Sequence, residues 1–475
     1  MPKNSPRAKR RLYRRLTIIF SVLIFLFSAA IIYQLRFDIF SNFYNDKANS
    51  LEREIAALEQ ARASQTTTPT TDTDSTGDKN KSTKPSQDPA SMTDTAKAGI
   101  GDFEDLETQQ LIDKFFGPLP EKTGDGKFEL PKVRGIYVYN LNHLDYYFDL
   151  VKNTPVNTFV IDIKESWGVL YDSKVPLAQE MDAIINPVNL KAVIDRCHEN
   201  NIRVIGRMVC FKDTVMAEKR PDLCIQDKNG NPLHFPLDGS NVFASPYNPT
   251  VWKYLADIAT EAIGYGLDEI QLDYVRFPSG SPEENAEPYF GEPDVTPERH
   301  QALNRFLQTM AISVQHNLKT PVGADLFSIV MTSEMDGEAI GQRWSTIGLN
   351  GISNICPMIY PSHYANGSTH YTGNGIGSYI GDEFFEKPDL DPYAVVKNAI
   401  IDGDRNIDRT EFSTLRPYIQ AFTAEYLPDG YYMSYGTKEI QEQIDALADQ
   451  GIDQWFLWNA GETYPDLDLK AYDLE

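Results

Sequence analysis

Cysteine is scarce in this sequence, and the motifs of several large protein classes are missing. Only four Cys occur among 475 residues, which argues against a disulfide-stabilised scaffold. None of them shows the CxxC spacing of metal or redox sites. The seven His form no HExxH pair, and no G-x-S-x-G nucleophile motif is present. The sequence therefore predicts no metal site and no cofactor.

Acidic residues are absent from the beginning of the chain and abundant in the rest. The first 36 residues contain eight Lys or Arg and no Asp or Glu, so all 68 acidic residues of the chain lie beyond them, against 44 basic residues in total. Binding to nucleic acid phosphates requires a basic surface. We therefore expect no nucleic acid partner.

Charge is also missing from the run between Thr17 and Leu35, which follows a basic tail at residues 1–16. Nineteen helical residues rise about 28 Å, close to the thickness of a bilayer's hydrocarbon core. The sequence predicts a transmembrane signal anchor at 17–35 in a single-pass cell-membrane protein, with the basic tail in the cytoplasm and the C-terminal part extracellular. The alternatives are a signal peptide cleaved near Ala30 and a buried core helix.

The next segments predict a spacer between this anchor and a folded domain. Residues 36–63 are interpreted as a short stalk with an amphipathic helix, because Leu51, Ile55 and Leu58 recur at a spacing of three to four. Residues 64–98 are rich in Thr, Ser, Asp, Lys and Pro, and this composition predicts a disordered linker. Residues 99–130 are expected to form a lead-in segment with one helix, at Leu106–Phe116.

Residues 131–475 alternate strand and helix patterns without a second linker. We predict eight strands, at Val133–Tyr139, Thr158–Lys164, Arg203–Val209, Glu269–Asp273, Val322–Leu326, Ile352–Tyr360, Arg416–Thr423 and Gln454–Asn459. Helices are predicted between them, at Leu144–Lys152, Pro187–Asn200, Pro249–Tyr265, Pro297–Leu318, Gly337–Thr346, Pro392–Ile401 and Thr437–Gln450. Eight such units favour an α/β fold of the (β/α)8 TIM-barrel type. The alternative is a doubly wound open sheet, which would normally carry a Gly-rich turn after its first strand.

Several predicted strands carry polar residues on one face. Asp162 and Lys164 alternate with Ile161 and Ile163, and Asp273 closes a similar series on the fourth strand. In a barrel the apolar face meets the helices and the other face points to the axis. Because barrel active sites lie at the carboxyl ends of the strands, we expect Lys164, Asp273, Asp325 and Tyr360 to project into one mouth.

The same residues carry a resemblance to a known family. The stretch 268–278 (DEIQLDYVRFP) resembles the signature strand of a glycoside-hydrolase family of exported bacterial proteins with a TIM-barrel fold, largely uncharacterised and named by fold analogy. Six further motifs resemble the family in the same order, namely VIDIKE at 160–165, RMVCFKD at 207–213, GADLF at 323–327, CPMIYPSHY at 356–364, RPYIQ at 416–420 and WNA at 458–460. One departure is Ala421, which stands where members tend to carry an acid.

The resemblance implies a hydrolase of O-glycosyl bonds acting on a polysaccharide or oligosaccharide. That reaction needs two carboxyl groups beside the scissile bond. From their placement on adjacent strands, and from resemblance to barrel hydrolases that use strands four and five, we predict Asp273 as nucleophile and Asp325 as acid/base. Glu425 or Glu165 is the alternative second carboxyl, and salt-bridged structural roles for both Asp residues are also open. The predicted substrate-binding residues are Asp162, Lys164, Glu165, Arg207, Tyr274, Arg276, Tyr360, His363, Gln420, Glu425 and Trp458.

Three functions are compatible with these residues. The leading hypothesis is a membrane-anchored extracellular glycoside hydrolase that cleaves a surface or extracellular polysaccharide. The second is a non-catalytic carbohydrate-binding or cell-envelope scaffold protein on the same barrel. The third, a metal-dependent polysaccharide deacetylase, would require a His/Asp cluster at a strand end, and the sequence offers none.

Overall fold

The structure, a computed structural model, describes residues 104–239, 241–283, 286–461 and 463–474. The predicted cytoplasmic tail, anchor, stalk and linker, together with residues 99–103, lie outside these ranges. Within the described ranges, no helix combines the length and the apolar character needed to cross a membrane.

The described chain folds around a closed barrel of eight parallel strands. In ring order these are β1 (Arg134–Tyr137), β2 (Thr158–Glu165), β5 (Arg203–Val209), β6 (Glu269–Asp273), β7 (Val322–Phe327), β8 (Asn354–Ile359), β12 (Tyr418–Gln420) and β13 (Trp455–Trp458). Strand β1 pairs in parallel with β2 on one side and with β13 on the other, which closes the ring. The predicted TIM barrel is therefore confirmed, and the open-sheet alternative is wrong, because an open sheet would leave two strands with a free edge.

In the described chain, five short strands lie beside the ring of eight. They are β3 (Gly168–Tyr171), β4 (Ile184–Val188), β9 (Ser378–Ile380), β10 (Glu383–Phe385) and β11 (Thr414–Leu415). Strand β3 folds back antiparallel on the end of β2, and β9 pairs with β10 in a separate hairpin. All five lie outside the eight predicted strands, and β11 ends at Leu415, one residue before the seventh predicted strand.

Helices pack on the outside of the ring. They are α1 (Leu106–Phe116), α2 (Leu144–Val151), α3 (Pro176–Glu180), α4 (Leu190–Glu199), α5 (Thr214–Lys219), α6 (Pro249–Gly264), α7 (Arg299–Met310, continued by a π-helical stretch at Ala311–His316), α8 (Ile329–Thr332), α9 (Glu334–Ile340), α10 (Trp344–Ile347), α11 (Pro392–Asp404) and α12 (Thr437–Asp449). The predicted helix at Leu106–Phe116 is confirmed to the residue.

Among the predicted elements whose bounds differ in the structure, two differ at a proline. The helix predicted from Pro187 begins at Leu190, after the cap residue Asn189, because Pro187 belongs to β4. Of the predicted strand Arg416–Thr423, Tyr418–Gln420 forms β12, whereas β11 ends at Leu415, and an interruption at residues 416–417 separates the two. Pro417 has no backbone N–H for the sheet and lies at this interruption.

The barrel separates two apolar clusters. Ile161, Ile270 and Ile355 belong to the large core between strands and helices, whereas Val160, Ile205, Cys356 and Tyr418 form a smaller cluster within the ring. Near the amino ends of the strands, Arg416 donates from Nη1 to Glu269 Oε1 at 2.7 Å, with both side chains buried. We call Arg416 and Glu269 the lower pair.

The lead-in segment, described from residue 104 to residue 130, lies on the outside of the barrel. Phe116 of α1 packs with its ring centroid 4.9 Å from that of Trp252 on α6. Arg305 of α7 donates from Nη2 to Asp113 at 2.6 Å and to the Gly117 carbonyl at 2.7 Å. Asn317 adds hydrogen bonds to the Thr123 amide (2.7 Å) and the Glu121 carbonyl (2.9 Å).

Candidate active site

Two carboxyl groups stand side by side at the carboxyl ends of β6 and β7. The parallel register pairs Gln271 with Gly323 and Leu272 with Ala324, so the next step of the register sets Asp273 beside Asp325. Both belong to the inward-facing series, since Leu272 and Ala324 lie in the outer core. Neighbouring strands lie about 4.8 Å apart, and the two side chains therefore share one region of the barrel mouth, the face formed by the loops that follow the strands.

Arg207, on β5, connects three carboxylates. Its Nε and Nη2 both donate to Asp273 Oδ2, at 3.0 and 2.5 Å. Its Nη1 donates to Asp162 Oδ1 at 2.5 Å and to Glu165 Oε1 at 2.8 Å. Although burial disfavours the guanidinium charge, these carboxylates raise the pKa of Arg207 well above its usual value. The cation is thus permanent, and it fixes the positions of three acids.

Asp273 is held through both of its oxygens. While Oδ2 accepts from Arg207, Oδ1 accepts from the backbone amide of Tyr274 at 2.6 Å. Tyr274 has a φ of 53°, in the left-handed region, which is uncommon for a bulky residue and often marks functional sites. The strained residue after the strand thus turns its amide toward the Asp273 carboxylate.

Asp325 has the opposite environment. Its side chain is 2% exposed, and Oδ1 finds no hydrogen-bond partner among the described residues. Burial raises the pKa of the Asp325 carboxyl well above its usual range, and the nearby Asp273 carboxylate raises it further. The buried acid therefore keeps its proton under conditions in which ordinary carboxyls have lost theirs.

The remaining acids of the cluster lie at the end of β2. Asp162 Oδ2 accepts from the Tyr137 hydroxyl at 2.5 Å, while burial and then the Glu165 charge raise its pKa against the lowering effect of Arg207. The side chain of Glu165 is more accessible than that of Asp162, at 21% against 12% exposed. We call Asp162, Glu165, Arg207, Asp273 and Asp325 the mouth cluster.

Two predicted cations are paired elsewhere. Lys164 donates to Asp213 Oδ2 at 2.9 Å and to the Val209 carbonyl at 2.8 Å, and the β2–β5 register shifts between Asp162 and Lys164. That shift explains why Lys164 does not simply continue the Asp162 series. Arg276 forms a buried ion pair with Asp238, with Nη2 and Oδ1 2.7 Å apart.

The predicted aromatic residues surround the cluster at different depths. Trp458 is half-buried, with its ring centroid 4.3 Å from that of Tyr137 and 5.7 Å from the Arg207 guanidinium carbon. Tyr360 is buried within the ring, and burial followed by the charges of Asp325 and Asp273 raises its pKa. Tyr274 has Lys212 Nζ 5.1 Å and the Arg276 guanidinium carbon 5.2 Å from its ring centroid.

The last three predicted residues lie at the end of β12 and in the loops that follow β8 and β12. Gln420 is buried and accepts from the Ser362 hydroxyl at 2.8 Å, while its Nε2 donates to Asp389 at 2.8 Å. His363 has its ring centroid 5.1 Å from that of Tyr360. Glu425 is exposed on the loop beyond β12. Gln420 therefore links the end of β12 to two points of the loop after β8, and His363 lies beside Tyr360.

Sequence reasoning missed residues that complete these contacts. Tyr137 ends β1 on the inner face and binds Asp162, a position that the period-two pattern of the first strand could have identified. Asp213 caps α5 through the Met216 amide and also neutralises Lys164. Asp238 pairs with Arg276 from a long loop, and no local pattern predicts that contact. Within the described ranges, no group of three or more His, Cys, Asp or Glu could hold a metal ion.

One family model matches most of the chain. The model of a family described as "Putative glycosyl hydrolase domain" matches residues 133–464. No curated protein matches the chain.

Solved structures also resemble this chain. A hypothetical protein from Ruminiclostridium thermocellum is 34% identical over 40% of this chain and 96% of its own, with a TM-score of 0.35. The glycoside hydrolase domain of PgaB (BpsB) from Bordetella bronchiseptica is 11% identical over 69% of this chain and 94% of its own, with a TM-score of 0.49. An alpha-galactosidase from Thermus thermophilus is 13% identical over 74% of this chain and 62% of its own, with a TM-score of 0.39.

Proposed function

From the premise that the chain belongs to this glycosyl hydrolase family, we propose that it is a membrane-anchored extracellular enzyme that cleaves a polysaccharide with Asp273 and Asp325. The observation that carries the proposal is the contrast between two adjacent carboxyl groups. One is ion-paired to a permanent cation, and the other is buried with an unpartnered oxygen among the described residues. When two neighbouring acids have such different surroundings, the ion-paired carboxylate is suited to act as nucleophile or base, and the buried carboxyl is suited to donate a proton.

In the proposed mechanism, Asp325 donates its proton to the glycosidic oxygen as the bond to the anomeric carbon breaks. Asp273 attacks that carbon and forms a glycosyl-enzyme ester. The Asp325 carboxylate then takes a proton from water, whose oxygen displaces Asp273 and regenerates both groups. The adjacency of the two strands supports this retaining course, because it suits the ~5–5.5 Å separation of a retaining pair.

Arg207 acts in this proposal as a positioning residue. Its two donors hold Asp273 Oδ2 and limit rotation of the carboxylate, and a planar guanidinium is suited to such a fork. Asp162, Glu165 and Trp458 then border the space above the pair and supply hydrogen bonds and an apolar surface to a sugar ring.

The activity is tested by incubating the purified protein with a panel of polysaccharides and measuring new reducing ends. We expect hydrolysis of at least one polysaccharide, abolished in Asp273→Asn and kept in Asp195→Asn, a control that removes an exposed carboxylate from the outer helix α4. Hydrolysis that survives in Asp273→Asn would refute the assignment of the site.

A non-catalytic sugar-binding protein is the second candidate, and one observation favours it. The bidentate contact of Arg207 with Asp273 Oδ2 is also what a structural ion pair would show. Under this alternative, glycans bind the protein without new reducing ends, and Asp273→Asn leaves their affinity nearly unchanged.

The location is a proposal from sequence. The uncharged run 17–35 after a basic tail is the basis for an uncleaved anchor with the barrel outside the cell. The protein should fractionate with membranes, and protease added to intact cells should remove the barrel. An N-terminus of the mature protein downstream of Ala30 would show that the segment is cleaved.

A further inference from the structure

Exposed aromatic side chains flank the mouth at two opposite points of the barrel ring. Trp167 lies in the turn between β2 and β3 and is 46% exposed. Tyr371 and Tyr426, from the loops after β8 and β12, are 60% and 43% exposed. Strand β2 is second and β8 sixth in the ring of eight, so these loops rise from opposite sides of the mouth.

The tyrosine pair is connected through side-chain contacts to Tyr360 at the end of β8. The two rings have centroids 4.5 Å apart at an angle of 50°. The Tyr426 hydroxyl lies 2.8 Å from Ser362 Oγ and 3.5 Å from His363 Nδ1, and His363 is in ring contact with Tyr360. Tyr360 directly follows β8, the strand next to the one that carries Asp325, so a series of side-chain contacts leads from the exposed rings to the end of β8 at the mouth.

Tyr371 also carries backbone strain. Its φ is 52°, in a region that favours Gly, Asn and Asp. Among the described residues, seven other than glycine have a positive φ, of which four are Asn or Asp and two are Tyr274 and Tyr371. One of these tyrosines follows the predicted nucleophile, and the other presents its ring to solvent. Strained backbone of this kind persists only where the surrounding structure enforces it.

We propose that a glycan chain lies across the mouth from Trp167 to the Tyr371–Tyr426 pair, with sugars stacked on these rings on both sides of the bond that is cleaved. The inference rests on the proposed function, since it places the cleaved bond above Asp273 and Asp325. The occupant is a chain of several linked sugars, because a disaccharide at the centre would leave at least one aromatic site empty. The enzyme accordingly cuts within chains rather than at their ends.

The test separates binding from hydrolysis. The Asp273→Asn protein is titrated with cello-, chito-, xylo- and malto-oligosaccharides, from disaccharide to hexasaccharide. Trp167→Ala and Tyr371→Ala are each added to that background. Tyr379→Ala is the matched control, since Tyr379 is a 73% exposed tyrosine of the neighbouring β9–β10 hairpin. Tyr426→Phe removes the hydroxyl contact and keeps the ring.

We expect a hexasaccharide of one series to bind more tightly than its disaccharide. Trp167→Ala and Tyr371→Ala should each weaken hexasaccharide binding about twofold to tenfold without affecting the disaccharide. Tyr379→Ala should have no effect, and Tyr426→Phe should retain most of the affinity. Affinity that is independent of chain length, an equal loss in Tyr379→Ala, or no binding in any series would overturn the inference.

The proposed hydrolysis is judged separately, from reducing ends released by the unaltered protein. Length-dependent binding that needs both aromatic sites, without hydrolysis, would refute the proposed function and keep a chain-binding mouth. Hydrolysis that depends on Asp273, with binding independent of chain length, would keep the enzyme and reject this extended site.

Discussion

The barrel encloses two arginines that are both buried against carboxylates, and their surroundings differ. In the lower pair, Arg416 faces Glu269 in a single ion contact, and both residues are fully buried. In the mouth cluster, Arg207 faces Asp162, Glu165 and Asp273, with Asp325 close by. The lower pair is balanced in charge, whereas the mouth cluster contains more acid than its cation can neutralise.

This difference separates a structural ion pair from a functional one. A balanced buried pair is strongly destabilised when one partner is removed. An excess of carboxylate raises pKa values and costs stability, so its persistence points to chemistry. Four predictions test this contrast, from the largest expected effect to the smallest.

Asp273→Asn should reduce turnover by several orders of magnitude and alter stability little. Asparagine keeps the volume of the side chain and one acceptor oxygen, which suffices for either Arg207 or the Tyr274 amide, but it is not a nucleophile toward the anomeric carbon. Reducing-end kinetics and a denaturant titration of the same sample measure the two effects. A large loss of stability with little loss of activity would show that Asp273 has a structural role and not a catalytic one.

Asp325→Asn should slow hydrolysis of substrates with poor leaving groups by about 10²–10⁴-fold and spare activated aryl glycosides. Burial raises the pKa of Asp325, so its acid form persists to higher pH, and activity should fall as pH rises through that pKa. The substitution should remove this alkaline limb from the pH–rate profile. Equal losses for both leaving groups would argue against an acid role.

Arg416→Met should lower the free energy of unfolding by about 3–5 kcal/mol, because it leaves the Glu269 charge buried and unpaired. Changing Glu269 to Leu in the same protein should recover much of that loss. The comparison needs only the denaturant midpoints of the single and double variants. No recovery in the double variant would mean that the pair contributes through packing rather than charge balance.

Asp162→Asn should change stability by less than about 1 kcal/mol, in the stabilising direction, because it removes one surplus buried charge. Burial raises the folded-state pKa of Asp162, so the stability that its protonated form provides is present at low pH and lost as pH rises through that pKa. The advantage of asparagine should therefore appear at neutral pH and vanish in acid. Denaturant titrations of both proteins at neutral and at acidic pH measure this difference in stability. Destabilisation of the variant at neutral pH would contradict the surplus-charge interpretation.

The ring of strands was predictable because buried parallel strands are recognisable in a sequence as apolar runs bounded by turn residues. β5 and β6 match their predicted bounds, since Arg203–Val209 and Glu269–Asp273 are uninterrupted. The placement of Asp273 and Asp325 at one mouth follows from strand register alone. The prediction from period-two alternation failed at Lys164. The strand register shifts after Asp162, and the Lys164 side chain pairs with Asp213 instead of the mouth cluster.

Contacts between distant loops were beyond sequence reasoning. Asp238 binds Arg276, 38 residues away, and Tyr426 binds Ser362, 64 residues away. No periodic pattern links such positions, since their proximity depends on how whole loops fold across the mouth. The roles of the predicted substrate-binding residues stay predictions.

The lead-in segment has a mechanical consequence. Tension that enters the described chain at residue 104 meets the contacts of Asp113 and Gly117 with Arg305, and then those of Asn317, before it reaches β1. These contacts lie on the outer helices, whereas β1 carries Tyr137, the partner of Asp162. The outer helices should therefore bear a pulling force on the chain before that force can distort the geometry of the mouth.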